Sequence, residues 1–89
     1  MESMIQQINE RVGVLTVYDV WKNKALPWCI KWKGKYYYVR KLTMLHPVQE
    51  GKTLVHVFSV YTGKQYFRLE FNTRSLEWWL KEMDDGYTN

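Results

Sequence analysis

Between Trp28 and Val39 the chain changes character at every residue. Trp28, Ile30 and Trp32 interleave with Cys29, Lys31 and Lys33, and the run resumes after Gly34. Successive side chains on a strand point to opposite sides, so a period of two belongs to extended chain, not to helix. Gly34 allows a tight turn, and Lys35–Leu45 is the returning β run of a hairpin. A ribbon of this kind leaves unpaired edges, which other strands must cover or which must close on each other.

The rest of the chain supplies such strands. Val12–Lys22 alternates Val12, Val14, Thr16, Tyr18 and Val20 and reads as a strand. Asn23–Pro27 is a connection, because Pro27 disfavours helix at Leu26. His46–Lys52, with Pro47 and Gly51, is a loop. Thr53–Thr62 is a strand, Gly63-Lys64 a tight turn, and Gln65–Asn72 its partner, with a further turn at Asn72–Ser75. Leu76–Met83 fits both periods: Leu76, Trp78 and Leu80 suit a strand, while Leu76, Trp79, Leu80 and Met83 suit a helix. The preceding run of short strands favours the strand. At the start, Ser3 can cap a helix whose Met4, Ile5, Ile8 and Val12 fall at helical spacing. The expectation is a single domain over 1–89: a short helix at 1–11, a β core at 12–83 and a flexible tail at 84–89. Its class is all-β, mainly antiparallel, with about six strands. It forms a small SH3-like barrel or a strongly bent meander sheet, with a short N-terminal helix.

A chain of 89 residues has room for one core. Five Trp, seven Tyr and three Phe are more than such a core can hide, so several aromatics belong on the surface. The single cysteine, Cys29, excludes an intrachain disulfide. No apolar run is long enough for a signal peptide or a membrane span, and a cytoplasmic protein without a membrane partner is expected.

The net charge is +4, unevenly spread. No acid occurs between Asp19 and Glu50, whereas Lys22, Lys24, Lys31, Lys33, Lys35, Arg40 and Lys41 do; Glu77, Glu82, Asp84 and Asp85 gather late. A cationic half favours a polyanionic partner, although a solvated lysine coat has the same composition. Side-chain parity sharpens the choice. With Ile30, Trp32, Tyr37, Val39, Phe67, Leu69, Phe71, Trp78 and Leu80 inside, the outward set interleaves cations with rings. Lys31, Lys33, Lys35, Arg40, Lys41 and Arg68 would meet phosphates, and Tyr36, Tyr38, Tyr66 and Trp79 would stack on bases. With no recognition helix in view, single-stranded DNA or RNA suits this face better than duplex. The same exposed aromatics also suit a protein partner or a second copy of the chain, and the two-sided apolar run Leu54–Tyr61 fits either a central strand or a homodimer contact.

Catalytic, cofactor and metal chemistry find little support. Cys29 alternates with tryptophans and reads as a structural thiol rather than a nucleophile served by His46 or His56. Those three residues offer no close-spaced ligand pair for zinc and lack a fourth donor. Asp84-Asp85 adjoins the chain end, and the five glycines are scattered, with no phosphate loop. The expectation is a non-enzymatic domain without a cofactor.

Trp32-Lys33-Gly34-Lys35-Tyr36-Tyr37-Tyr38-Val39, then Phe58-Ser59-Val60, then Leu76-Glu77-Trp78-Trp79-Leu80 resembles a group of small uncharacterised bacterial β domains. Their pattern is W-x-G-x-x-Y-x-V, followed by two hairpins that end in a Trp-containing strand. The resemblance covers residues 28–83. Some of these domains accompany DNA-repair polymerases, which implies a nucleic-acid setting. The matching residues serve packing and turns, and the resemblance transfers no functional residue.

Overall fold

The computed structural model describes residues 5–85, and every regular element among them is a strand. There are seven: β1 (Ile5–Asp19), β2 (Lys24–Trp32), β3 (Lys35–Tyr38), β4 (Lys41–Glu50), β5 (Thr53–Tyr61), β6 (Tyr66–Asn72) and β7 (Glu77–Asp84). All pairings are antiparallel, in the order β3-β2-β1-β7-β6-β5-β4.

This order is two meanders, β1-β2-β3 and β4-β5-β6-β7, joined where β1 pairs with β7. β1 divides its length between them. Ile5–Val12 pairs with β7, and Gly13–Asp19 pairs with β2. The other junction sets the shape. β3 and β4 are the two ends of the sheet, yet only Val39 and Arg40 separate them in the chain. Three residue steps reach about 11 Å at most. Six inter-strand gaps of about 4.8 Å would span about 29 Å if the sheet lay flat. The sheet must therefore curl until its ends nearly meet. Two backbone bonds hold the crossing: Val39 N–H donates to the Trp28 carbonyl at 2.9 Å and Arg40 N–H to that of Tyr61 at 2.7 Å. β3 and β4 do not pair with each other, so the sheet is not a closed barrel.

The curl encloses the core. Ile30 and Trp32 of β2 meet Phe58 and Val60 of β5, Phe67 and Leu69 of β6, and Leu80 of β7. Val12, Val14, Tyr37, Val39, Phe71 and Trp78 pack around them. The inward set expected from parity is the set found. Trp32 meets Phe67 edge-on at 6.1 Å, and its indole N–H donates to Glu10 Oε1 at 2.9 Å, tying β2 to the first half of β1.

The structure corrects several expectations. The helix expected at 1–11 is strand from Ile5 onward, with residues 1–4 outside the described part. Pairing with β7 outweighs the local helical spacing. Asn9, at φ 55°, sits in the register shift between Gln7 and Glu10 that fits β1 to β7. There are seven strands rather than six, because Lys35–Leu45 breaks at the Val39–Arg40 crossing. Asn23–Pro27 and His46–Lys52 are strand for most of their length. Proline is tolerated in edge strands, where a missing N–H costs no ladder bond. β4 is such an edge, and Pro27 lies beside the register shift between β1 and β2. Leu76–Met83 is a strand with slightly later bounds, β7. Asp84, expected in the flexible tail, closes β7, and residues 86–89 lie outside the described part.

Leu80 is fully buried where β1, β6 and β7 share the core. Leu80→Ala is expected to destabilise the domain by about 2–5 kcal/mol, read as a lower urea midpoint with little change in slope.

Candidate functional site: the seam of the curled sheet

The unjoined ends of the sheet leave a seam crossed only by Val39 and Arg40, with a groove on each side. One, of about 390 Å³, lies between β3 and the β5–β6 turn and is lined by Lys35, Tyr36, Tyr37, Tyr38, Arg40, Thr62, Lys64 and Gln65. It contains three cations and no acid; Tyr36 and Tyr38 are exposed there, whereas the Tyr37 ring turns inward against Trp32 and Phe67. The other, of about 360 Å³, lies between β2 and β4. Val17, Leu26, Pro27, Trp28, Val39 and Leu42 make it apolar, with Arg40 and Lys41 on its rim and Asp19 as its acid. Arg40 lines both, so the grooves adjoin.

Local chemistry positions these groups. Lys33 (φ 51°) and Gly34 (φ 75°) take the left-handed conformations of the two-residue β2–β3 turn. Lys31 then stands opposite Tyr36 with its ammonium 5.7 Å from the ring centre, and Lys33 lies 5.1 Å from the Trp32 ring. These are cation–π distances, and the ammonium groups stay at the surface. Across the seam the β5–β6 turn is tightly bonded. Thr62 N–H donates to the Gln65 carbonyl at 2.9 Å, and the Tyr61 hydroxyl donates to that of Gly63 at 2.8 Å. Gly63 has φ 97°, and its bare face lies against the Arg40 side chain, where an added Cβ would sit 3.5 Å from the guanidinium carbon. The turn is thus a shelf under Arg40.

The cations of the seam are available. The ion pairs among the described residues are Arg11 with Glu77 at 3.5 Å and Arg68 with Glu82 at 4.0 Å, both elsewhere on the sheet. Lys35, Arg40, Lys41 and Lys64 have no acidic partner among the described residues.

Of the residues singled out in the sequence, Lys31, Lys33, Lys35, Tyr36, Tyr38, Arg40 and Lys41 gather along the β2–β3 hairpin and the crossing. Tyr36 and Tyr38 are more than half exposed. Tyr66, Arg68 and Trp79 also face outward, but from β6 and β7, where the sheet has turned away. Tyr66 and Arg68 line a hollow with Glu82 and Asp84, and the Nε of Arg68 is buried without a hydrogen-bond partner. Trp79 donates to Glu77 at 3.4 Å and carries the Lys81 ammonium 5.9 Å from its ring centre. That surface mixes acids with bases.

Two contributors escape sequence reading. Lys64 belongs to a turn whose contact with β3 depends on the curl. Trp28 shares the alternation of Ile30 and Trp32 but is half exposed and meets Tyr38 edge-on at 5.4 Å. The register shift opposite Leu15 and Thr16 breaks its parity. Cys29 is buried. No group of three or more His, Cys, Asp or Glu side chains that could hold a metal occurs among the described residues, and no helix among them is long and apolar enough to cross a membrane.

Compared with known proteins, the chain matches no family model, no curated protein and no solved structure.

Gly63→Ala tests the shelf. A β-carbon in the left-handed region is expected to cost about 1–2 kcal/mol, measured by denaturation, and to perturb the NMR resonances of the Arg40 guanidinium group.

Proposed function

We propose that this domain is a non-enzymatic nucleic-acid-binding module that holds a single strand in the seam. One observation carries the reading: the acid-free groove lined by Lys35, Arg40 and Lys64 together with the exposed Tyr36 and Tyr38. Phosphates need cations that are not already neutralised, and bases need exposed flat rings. Each stacked base contributes about 1–3 kcal/mol, and the side-chain types here tolerate any sequence. A single strand fits because its bases are free to turn toward the tyrosines, which a duplex does not permit. The resemblance to a group of small β domains, some of which accompany DNA-repair polymerases, implies such a setting.

Labelled oligothymidylate, titrated at several salt concentrations, tests this reading. Log affinity is expected to fall linearly with log salt, by about 0.7 per phosphate neutralised on a single strand. Arg40→Ala and Lys64→Ala should each reduce that slope by about 0.7 while leaving the thermal melt in place. Absence of binding at low salt and high micromolar protein would end the proposal.

A second reading, a protein-interaction or self-association face, rests on a different observation. Among the described residues the Gly13–Asp19 half of β1 pairs with β2 alone, which leaves its other edge without a partner strand there, beside the exposed Leu15 and Val17. Open edges recruit further strands. This reading predicts association that survives moderate salt and rises with protein concentration in light scattering; a mass that stays monomeric throughout would exclude self-pairing.

A further inference from the structure

The β1–β2 hairpin runs past the rest of the sheet. β7 pairs with β1 only as far as Val12, and β3 pairs with β2 only from Cys29 onward. Among the described residues, Thr16–Asp19 and Lys24–Pro27 therefore pair only with each other, as a two-stranded ribbon. Its base lines the apolar groove of the seam through Val17, Leu26 and Pro27. Its tip carries Trp21, which is 91% exposed.

The tip is a built turn. Asp19 Oδ1 accepts the backbone N–H of Trp21 at 3.0 Å and of Lys22 at 3.2 Å, and the Tyr18 hydroxyl donates to Asn23 Oδ1 at 3.2 Å. Asn23 takes the left-handed conformation that closes the turn, at φ 54°. One oxygen of Asp19 is thus held by the turn, and Lys22 and Lys24 follow Trp21 in the chain with no ion-pair partner among the described residues. Trp21 touches none of the core, so its exposed ring is not there for folding.

We propose that this ribbon is a second contact for the strand held in the seam, with Trp21 stacking on a base and Lys22 and Lys24 meeting the adjoining phosphates. The inference rests on the nucleic-acid reading of the seam. Charge and continuity single out this occupant. The tip repeats the cation-and-ring composition of the seam, and Arg40, Trp28 and the apolar groove lie between the two. Lys24 and Trp28 are four residues apart on β2, about 13 Å at strand spacing, a reach that one oligonucleotide covers. Bound this way, the ribbon extends the site from a corner to a track.

The test compares Trp21→Ala, Trp21→Phe and Arg40→Ala with the unaltered chain in binding a labelled oligothymidylate of about 16 nucleotides, the upper end of what small β domains occupy. Circular dichroism serves as the folding control, because no core contact is removed. Trp21→Ala is expected to weaken binding by about 5- to 150-fold, the equivalent of one stacked base, and Trp21→Phe, which keeps a ring, to recover most of it. If Trp21→Ala binds like the unaltered chain while Arg40→Ala is weakened, the ribbon proposal fails and the seam reading stands. Equal losses for Trp21→Ala and Trp21→Phe would also overturn stacking. If the unaltered chain does not bind, the seam reading falls and takes this one with it. Trp21-dependent sedimentation with phosphatidylserine vesicles, without an effect on the oligonucleotide, would assign the tip to a lipid surface and overturn the proposal.

Discussion

A two-residue tether between opposite ends of a seven-stranded sheet is the constraint on which the rest of this molecule depends. Val39 and Arg40 connect β3 to β4 across a gap that a flat sheet would make far too wide. The sheet answers by curling, and the curl brings β2 over β5 and β6 so that one small core is shared by both meanders. Without that tether each meander would offer a single apolar face to water. The tether also explains why the structure stops short of a barrel. Its two backbone bonds go to the neighbours of the edge strands, Trp28 of β2 and Tyr61 of β5, and not from β3 to β4. The place where closure fails is the place where cations and rings collect.

Small irregularities make the curl possible. Register shifts fall between Gln7 and Glu10, Leu15 and Thr16, Leu42 and Met44, and Arg68 and Leu69. An extra residue in one strand bends it and increases its twist. At the third of these the extra residue is Thr43, whose hydroxyl donates to the Ser59 carbonyl at 2.9 Å. At the second, the shift turns Trp28 out of the core toward Tyr38. The same device that shapes the sheet thereby adds an aromatic wall to the site.

Much of this was legible in the residues, and the failures have physical causes. Parity identified which side of β2, β3, β6 and β7 faces the core, because a strand buried on one face carries its pattern in the simplest form. Leu76–Met83 was a strand despite its helical alternative, because the neighbouring hairpins left an edge for it. The N-terminal segment went the other way. Its helical spacing is real, but Ile8, Val12 and Val14 also share one face of a strand, and the partner that decides the matter lies at the far end of the described residues. Pro47 argued for a loop and proved compatible with an edge. The site was half legible. The cations and tyrosines of the β2–β3 hairpin are neighbours in sequence and stay neighbours in space. Lys64 joins them only through the curl, and Tyr66, Arg68 and Trp79 part from them for the same reason. Outward is a single direction on a flat sheet and many directions on a rolled one.

The pairing of β1 with β7 bears on how the chain is made. Each meander consists of strands adjacent in sequence, so its pairings are local. β1 is different: Ile5 pairs with Asp84, so the first strand of this domain waits for β7. Until then its apolar residues and open edge are displayed to whatever else is nearby. Folding of this domain is therefore completed only once β7 has been made, and until then the unpaired edge of β1 is prone to pair with the wrong neighbour.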